Sequence, residues 1–226
     1  MKLILLKVEV MIDLLIIETK NAICPLCDTK STQFYKDEFY QCPCCKGIFR
    51  PKEKLLDSEL EKQRYENHTN DSNDLGYQNF VRPITNSILN EFKSSDLGLD
   101  FGCGKDSPIV KIVEENDYKI AKYDIFFYDD KKVLEQKYDY IACCEVIEHF
   151  YNPKKEFQLL KSLLKKDGVL YLMTGIYNDD IDFSKWWYKN DLTHVFIFTK
   201  ETFVFIKKKF EFKEIKIEKN FIRLGL

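Results

Sequence analysis

The chain has 226 residues, 45% of them hydrophobic, with 35 Lys+Arg against 37 Asp+Glu for a net charge of −2. That length supports a sizeable core in one or two domains. The balanced charge argues against a chain that mainly grips nucleic acid, and the few Gly and Pro beside many aromatics exclude a fibrous or disordered one.

Residues 1–20 form an apolar N-terminal segment. Lys7, Glu9 and Asp13 interrupt it before any run reaches the ~20 apolar residues of a membrane span. No small-residue cleavage site follows. The segment reads as one or two strands, or in part as a translation-start artefact, since Met11 could also begin the chain.

Five of the eight cysteines crowd into residues 24–45. A secreted disulfide scaffold would be shorter and more evenly spaced, so reduced thiols in a cytoplasmic protein fit better. Cys24 pairs with Cys27, and Cys42 with Cys45, as two Cys-x-x-Cys knuckles 14 residues apart. The alternating stretches Gln33–Tyr35 and Glu38–Tyr40 between them predict a hairpin. Tetrahedral zinc needs four soft ligands, which two knuckles on a hairpin supply, so residues 21–56 read as a zinc ribbon. A redox dithiol or buried free thiols are the alternative. Cys44 is left out because pairing it with Cys42 makes too tight a loop.

Residues 57–92 read as a helical connector or lid, broken by the Asn/Asp/Ser/Gly cluster at 70–76 and resumed as a helix over 78–92. From 93 to 226 strands and helices alternate. Strands are expected at 97–101, 119–124, 138–144 and 168–174, and helices at 107–116, 153–166 and 200–209. Strands at 211–218 and 221–225 close the chain as an antiparallel hairpin at the sheet edge. The pattern is that of an α/β, Rossmann-like, doubly wound and mostly parallel sheet.

Three segments carry chemistry. The first, Asp100-Phe101-Gly102-Cys103-Gly104, ends a strand and precedes a helix; its glycines let a ligand approach the backbone, and the helix start offers free N–H groups. The second is Asp124, followed by Ile125, at the end of the next strand, where a carboxylate can accept both ribose hydroxyls of a nucleotide. The third runs from Tyr138 through Cys144 and Glu145 to Glu148 and His149. On a helical turn Glu145, Glu148 and His149 would share a face looking into the crevice at the carboxyl ends of the strands.

Together DFGCG, Asp124, CEVIEHF and LLKKDGVLYLMT resemble the class I S-adenosylmethionine-dependent methyltransferases over about residues 58–226. RYENHTNDSNDLGY and WWYKNDLTHVFIFT are similar to a bacterial subgroup that often carries an N-terminal zinc ribbon. The resemblance implies that Asp100, Gly102 and Gly104 cradle the methionine moiety and Asp124 binds the ribose. It places Cys144 and Glu145 beside the cofactor, with Arg64, His68 and Tyr77 on a lid over it. In ubiquinone-type O-methyltransferases a similar Glu-x-x-Glu-His can hold a divalent cation, which suggests Glu145, Glu148 and His149 here. Two departures stand out. Asp106 fills the place of the loop's usual third glycine. Only 13 residues separate Asp124 from Tyr138, too few for the family's second helix and third strand.

The expected function is methyl transfer to a small-molecule or carrier-bound acceptor. For a hydroxyl acceptor His194 is the candidate base, with Asp191 orienting it, and His149 the next candidate. Trp186, Trp187 and Tyr188 are either an acceptor platform or core. Two rivals stand beside this reading. One is a catalytically idle methyltransferase-fold binding module whose ribbon docks a protein or RNA. The other is an enzyme directed to a carrier or sugar nucleotide, for which the ribbon helps bind substrate.

Overall fold

A computed structural model describes residues 21–57, 59–60 and 71–226. The opening segment 1–20 lies outside them, as do residues 58 and 61–70 of the connector, Arg64 and His68 among them.

The cysteine unit folds as expected around a hairpin. Strand β1 (Asn21–Ile23) pairs with β2 (Lys30–Tyr35), β2 with β3 (Phe39–Gln41), and β3 with β4 (Ile48–Phe49), all antiparallel. Helix α1 (Leu75–Glu91) follows, starting where the Asp74 side chain accepts from the Tyr77 amide at 2.7 Å. Next come β5 (Leu97–Phe101), α2 (Pro108–Glu115), β6 (Lys119–Tyr123) and β7 (Tyr138–Cys144). Helix α3 (Pro153–Leu163), β8 (Leu164–Met173), β9 (Ile176–Tyr177) and β10 (Phe196–Thr199) lead to α4 (Lys200–Lys209), β11 (Glu214–Glu218) and β12 (Phe221–Gly225). Local signals explain the helix starts. Ser107 and Asn152 cap helices that open on proline, and Thr199 and Thr202 form a reciprocal capping box on α4.

The main sheet has the order β11-β12-β8-β7-β5-β6. Strands β6, β5, β7 and β8 are parallel, and β12 inserts antiparallel between β8 and β11. The hairpin thus lies at the edge expected of it, but its last strand is the inner one. The sheet is doubly wound, because alternate residues of one strand meet different layers. Tyr140 and Ala142 pack with Val81, Ile84 and Ile88 of α1 and with Ile109 and Val113 of α2. Ile141 and Cys143 pack with Phe157 and Leu160 of α3 and with Phe203 and Ile206 of α4. The expected abbreviation after Asp124 is present: a short 3-10 turn at Lys131–Glu135 stands where a further helix and strand would be, so β6 is the edge.

Several boundaries differ from expectation: α1 begins at 75 rather than 78, β8 at 164 rather than 168 and β11 at 214 rather than 211. Helix α3 stops at Leu163 rather than 166, because Leu164 already pairs with Tyr138 and Lys165 is drawn to Asp139 at 2.7 Å. Residues 196–199 form a strand where no element is expected between 174 and α4. That strand, β10, pairs antiparallel with β4 and parallel with β9, giving a second sheet of order β1-β2-β3-β4-β10-β9. The ribbon is therefore sheet-continuous with the segment that follows β8. Among the described residues no helix is long and apolar enough to cross a membrane.

Candidate active site

The chain runs from β5 to β6 on one side and returns to β7 on the other, so the topological switch point lies between β5 and β7. Ligands in open α/β sheets bind there, beyond the carboxyl ends of the strands. The glycine loop leaves β5 at this point. Gly102 has φ +80°, and a Cβ on it would lie 2.4 Å from Val146 Cγ2, so only glycine fits between β5 and the loop after β7. The Gly102 amide donates to the Tyr123 carbonyl at 2.7 Å, and the Gly104 amide to Asp124 Oδ2 at 3.0 Å. Asp124 Oδ1 accepts from the Phe126 amide at 2.8 Å and the Phe127 amide at 3.2 Å. This carboxylate thus ties the β5 loop to the β6 loop. Ile125, beside it, is 62% exposed.

Asp100 is buried, and burial raises its carboxyl to about 7; the Ser107 hydroxyl, donating to Oδ2 at 2.6 Å, opposes that rise. Ser107 is a link that the sequence reading missed, although a Ser before Pro at a helix start was a visible capping signal. Asp106 also acquires a role. Its Oδ2 accepts from the Ser72 amide at 2.8 Å, fastening the segment ahead of α1 to the glycine loop. Tyr77 lies near Asp100, Cys103, Cys144 and Glu145, and burial raises its hydroxyl. Burial likewise raises the Cys103 and Cys144 thiols, so neither is a thiolate nucleophile.

The segment after β7 departs from a helical turn. Glu145 sits at φ 52°, its amide donating to the Met173 carbonyl at 2.8 Å, and the 3-10 turn begins only at Ile147. The expected common face of Glu145, Glu148 and His149 is therefore not formed. The structure instead gathers Glu148, His149 and His194, with ligand atoms within 4.8 Å of one another. Glu148 is fully buried and accepts from the Tyr188 hydroxyl at 2.6 Å and from Thr174 Oγ1 at 3.0 Å. Glu145 stands beside it, and its carboxyl is raised to about 9 by burial and then by the Glu148 charge. Burial raises Glu148 as well, against the opposing pull of His194.

Both histidines are oriented by backbone. His149 Nδ1 lies 2.9 Å from the Thr193 carbonyl, and His194 Nδ1 lies 2.8 Å from the Tyr188 carbonyl. A carbonyl only accepts, so each Nδ1 carries its proton and each ring's lone pair sits on Nε2. Burial lowers His194 from its ordinary value, against the opposing charge of Glu148. Asp191 does not hold the His194 Nδ1; its Oδ1 accepts from the Thr193 amide at 2.9 Å and the Thr193 hydroxyl at 2.7 Å, shaping the turn that presents His194. Trp186 and Tyr188 are stacked at 5.0 Å, whereas Trp187 is 70% exposed. No sequence signal pointed to Tyr188 and Thr174 as partners of Glu148.

In the ribbon, Cys24, Cys27, Cys42 and Cys45 converge within 4.8 Å, with Sγ–Sγ distances of 3.5 Å for Cys24–Cys45 and 3.3 Å for Cys27–Cys42. Thiolates about 2.3 Å from a tetrahedral zinc stand nearly that far apart, so the donor set fits the ion. Cys44 is exposed and outside the cluster.

Among curated proteins, the ubiquinone biosynthesis O-methyltransferase of Actinobacillus pleuropneumoniae serotype 5b is 37% identical over 68 residues, 28% of this chain and 29% of that enzyme. The protein of the same name from Glaesserella parasuis is 49% identical over 39 residues, 17% of this chain and 16% of its own. The matched segments thus span less than a third of those enzymes. A SAM-dependent methyltransferase from Archaeoglobus fulgidus superposes with TM-score 0.50 at 20% identity, covering 72% of this chain and 77% of that one. Human N-acetylserotonin methyltransferase, solved with SAM, gives 0.50 at 14% identity, covering 74% and 56%. These likenesses are of fold. The model of the methyltransferase-domain family matches residues 75–216, which is more than half of the chain and takes in both the glycine loop and the Glu148–His194 cluster; the chain belongs to that family.

Proposed function

We propose that this chain is an active S-adenosylmethionine-dependent methyltransferase of the cytoplasm that methylates a hydroxyl of a small or carrier-bound acceptor, with zinc held by Cys24, Cys27, Cys42 and Cys45. The observation that supports this reading is the Gly104–Asp124 bond beyond the carboxyl ends of β5 and β6, which joins the glycine loop to the carboxylate that would bind the ribose. The cofactor supplies the methyl group and a sulfonium leaving group. Asp100, Gly102 and Gly104 would cradle its methionine moiety and Asp124 its ribose, while Cys144, Glu145 and Tyr77 flank it. Positioning by such residues contributes ~7–11 kcal/mol in an oriented displacement. His194 takes the acceptor proton on Nε2, its Nδ1 proton being held by the Tyr188 carbonyl. Calorimetry with S-adenosylhomocysteine tests the reading: micromolar binding is expected, and none would favour the idle module.

His194→Ala should keep the fold and that affinity while lowering turnover ~10²–10⁴-fold, the usual contribution of a general base. A stable variant with full activity would remove His194 from the chemistry. The geometry of Glu148, His149 and His194 favours a second reading, in which they hold a divalent cation rather than act as base. Metal analysis separates the two. Two metal equivalents per chain, dropping to one in His149→Ala, would mean a cation site; one in both proteins keeps the base.

The buried Asp100 gives a pH signature. Its proton is lost near pH 7 in the folded chain but near its ordinary 3.8 when unfolded. The folded state therefore binds more protons, and Asp100 should make the apo protein less stable as pH rises from about 4 to about 7. A cationic ligand amine favours the ionised form, so homocysteine-nucleoside affinity should rise between pH 6 and 8, with proton release. Asp100→Asn should flatten both profiles; a profile unchanged in that variant would discard the assignment.

A further inference from the structure

The backbone that presents His194 is held from two sides. On one side lies the turn after β7: the Val195 amide donates to the Glu148 carbonyl at 2.9 Å, and the His149 ring bonds the Thr193 carbonyl. On the other side lies the ribbon. The Arg50 amide donates to the Val195 carbonyl at 2.9 Å, directly extending the β4–β10 ladder in which Phe49 faces Phe196 and Ile48 faces Ile197.

The Arg50 side chain goes further. It is 6% exposed, and Nη2 donates to the Lys189 carbonyl at 2.8 Å while Nε donates to the His194 carbonyl at 3.3 Å. One planar guanidinium thus spans both ends of residues 189–194. Its plane lies against the Phe39 ring, 4.3 Å from the centroid, and Glu38 stands 3.8 Å from Nη1. A buried charge is costly unless its donors are satisfied, and here most of the satisfaction comes from two carbonyls rather than from the partly exposed Glu38.

Arg50 is itself fixed by the cysteine knuckle. The Cys42 amide donates to the Gly47 carbonyl at 2.9 Å, closing the loop of Cys42–Cys45, and β4 begins at the next residue. At Gly47 a Cβ would stand 2.3 Å from Phe196 Cζ, so this loop rests directly on β10. The path from sulfur ligands to His194 is short and continuous: Cys42–Cys45, Gly47, β4, Arg50, then the carbonyls of Lys189 and His194.

We propose that Arg50 is a positioning residue for His194, and that the metal-bound ribbon sets the geometry of the acceptor side through it. This rests on the reading of His194 as a group that meets the acceptor. The ribbon is then a working wall of the catalytic domain rather than a module that docks a separate partner.

Histidine ring ¹⁵N correlation spectra of the full chain test the coupling without an acceptor. In the zinc-loaded protein His194 should show one species with the proton on Nδ1. Arg50→Met should replace that pattern by an averaged or doubled signal, with zinc content and S-adenosylhomocysteine affinity unchanged, since neither site is touched. Arg50→Lys keeps the charge but cannot span two carbonyls, and should fail to restore the single species. Glu38→Gln should leave the pattern as in the parent protein. Chelating the ribbon metal in the parent protein should reproduce the Arg50→Met spectrum. Once an acceptor is in hand, Arg50→Met should lower kcat at least tenfold with little change in the cofactor KM. A folded Arg50→Met or Arg50→Lys variant that retains the single Nδ1–H species would overturn the proposal. So would retention of that species after metal removal. If the parent protein proves to have no transferase activity but these spectra change as described, the coupling stands and the catalytic reading falls.

Discussion

Asp124→Ala should lower the affinity for S-adenosylhomocysteine by about 100-fold or more. Two ribose hydroxyls would lose a charged acceptor, at ~1.5–3 kcal/mol each, and ~1.4 kcal/mol is a factor of ten. A second contribution comes from the protein itself. The amides of Gly104, Phe126 and Phe127 all donate to this carboxylate, so its removal also loosens the loop that should hold the methionine moiety. Asp124→Asn separates the two effects. Its carbonyl oxygen can still accept from Phe126 and Phe127, so its loss should be smaller than that of the alanine variant. Calorimetry on all three proteins reads the result, and unchanged affinity in a folded Asp124→Ala would refute the ribose assignment.

Cys42→Ser should abolish the ribbon metal, leaving near zero zinc against about one per chain in the parent protein. Structural zinc contributes ~10–16 kcal/mol to small units of this kind, so residues 21–56 should lose amide-exchange protection with it. Because β4 is sheet-continuous with β10, protection should fall in 196–199 as well, an effect that a separate ribbon would not produce. Cys44→Ser should leave metal content alone, since that thiol is exposed and outside the cluster. Zinc lost in the Cys44 variant but kept in a Cys45 variant would show that the ligand set is wrong.

The sequence by itself was enough for whatever depends on neighbours along the chain. The knuckles of Cys24/Cys27 and Cys42/Cys45 share a hairpin whose alternation and polar turn are local, and in the structure their sulfurs converge. Strands 97–101 and 138–144 and helix 200–209 carry periodic apolar residues or clear caps, and their observed limits match expectation. The shortened stretch after Asp124 was likewise a matter of counting residues. Other features depended on contacts far apart in sequence. β10 is only four residues long, and it is a strand because Ile48 and Phe49, nearly 150 residues earlier, supply its partner. Glu145 leaves the expected helical face because its amide bonds Met173 at the end of β8, forcing φ to 52°. The grouping of Glu148 with His194, and the buried Arg50 that spans Lys189 and His194, arise only when the ribbon, the turn after β7 and the segment after β9 meet. Local propensity writes the elements, but hydrogen bonds and burial between distant segments decide which polar side chains face one another, and no spacing along the chain encodes that choice.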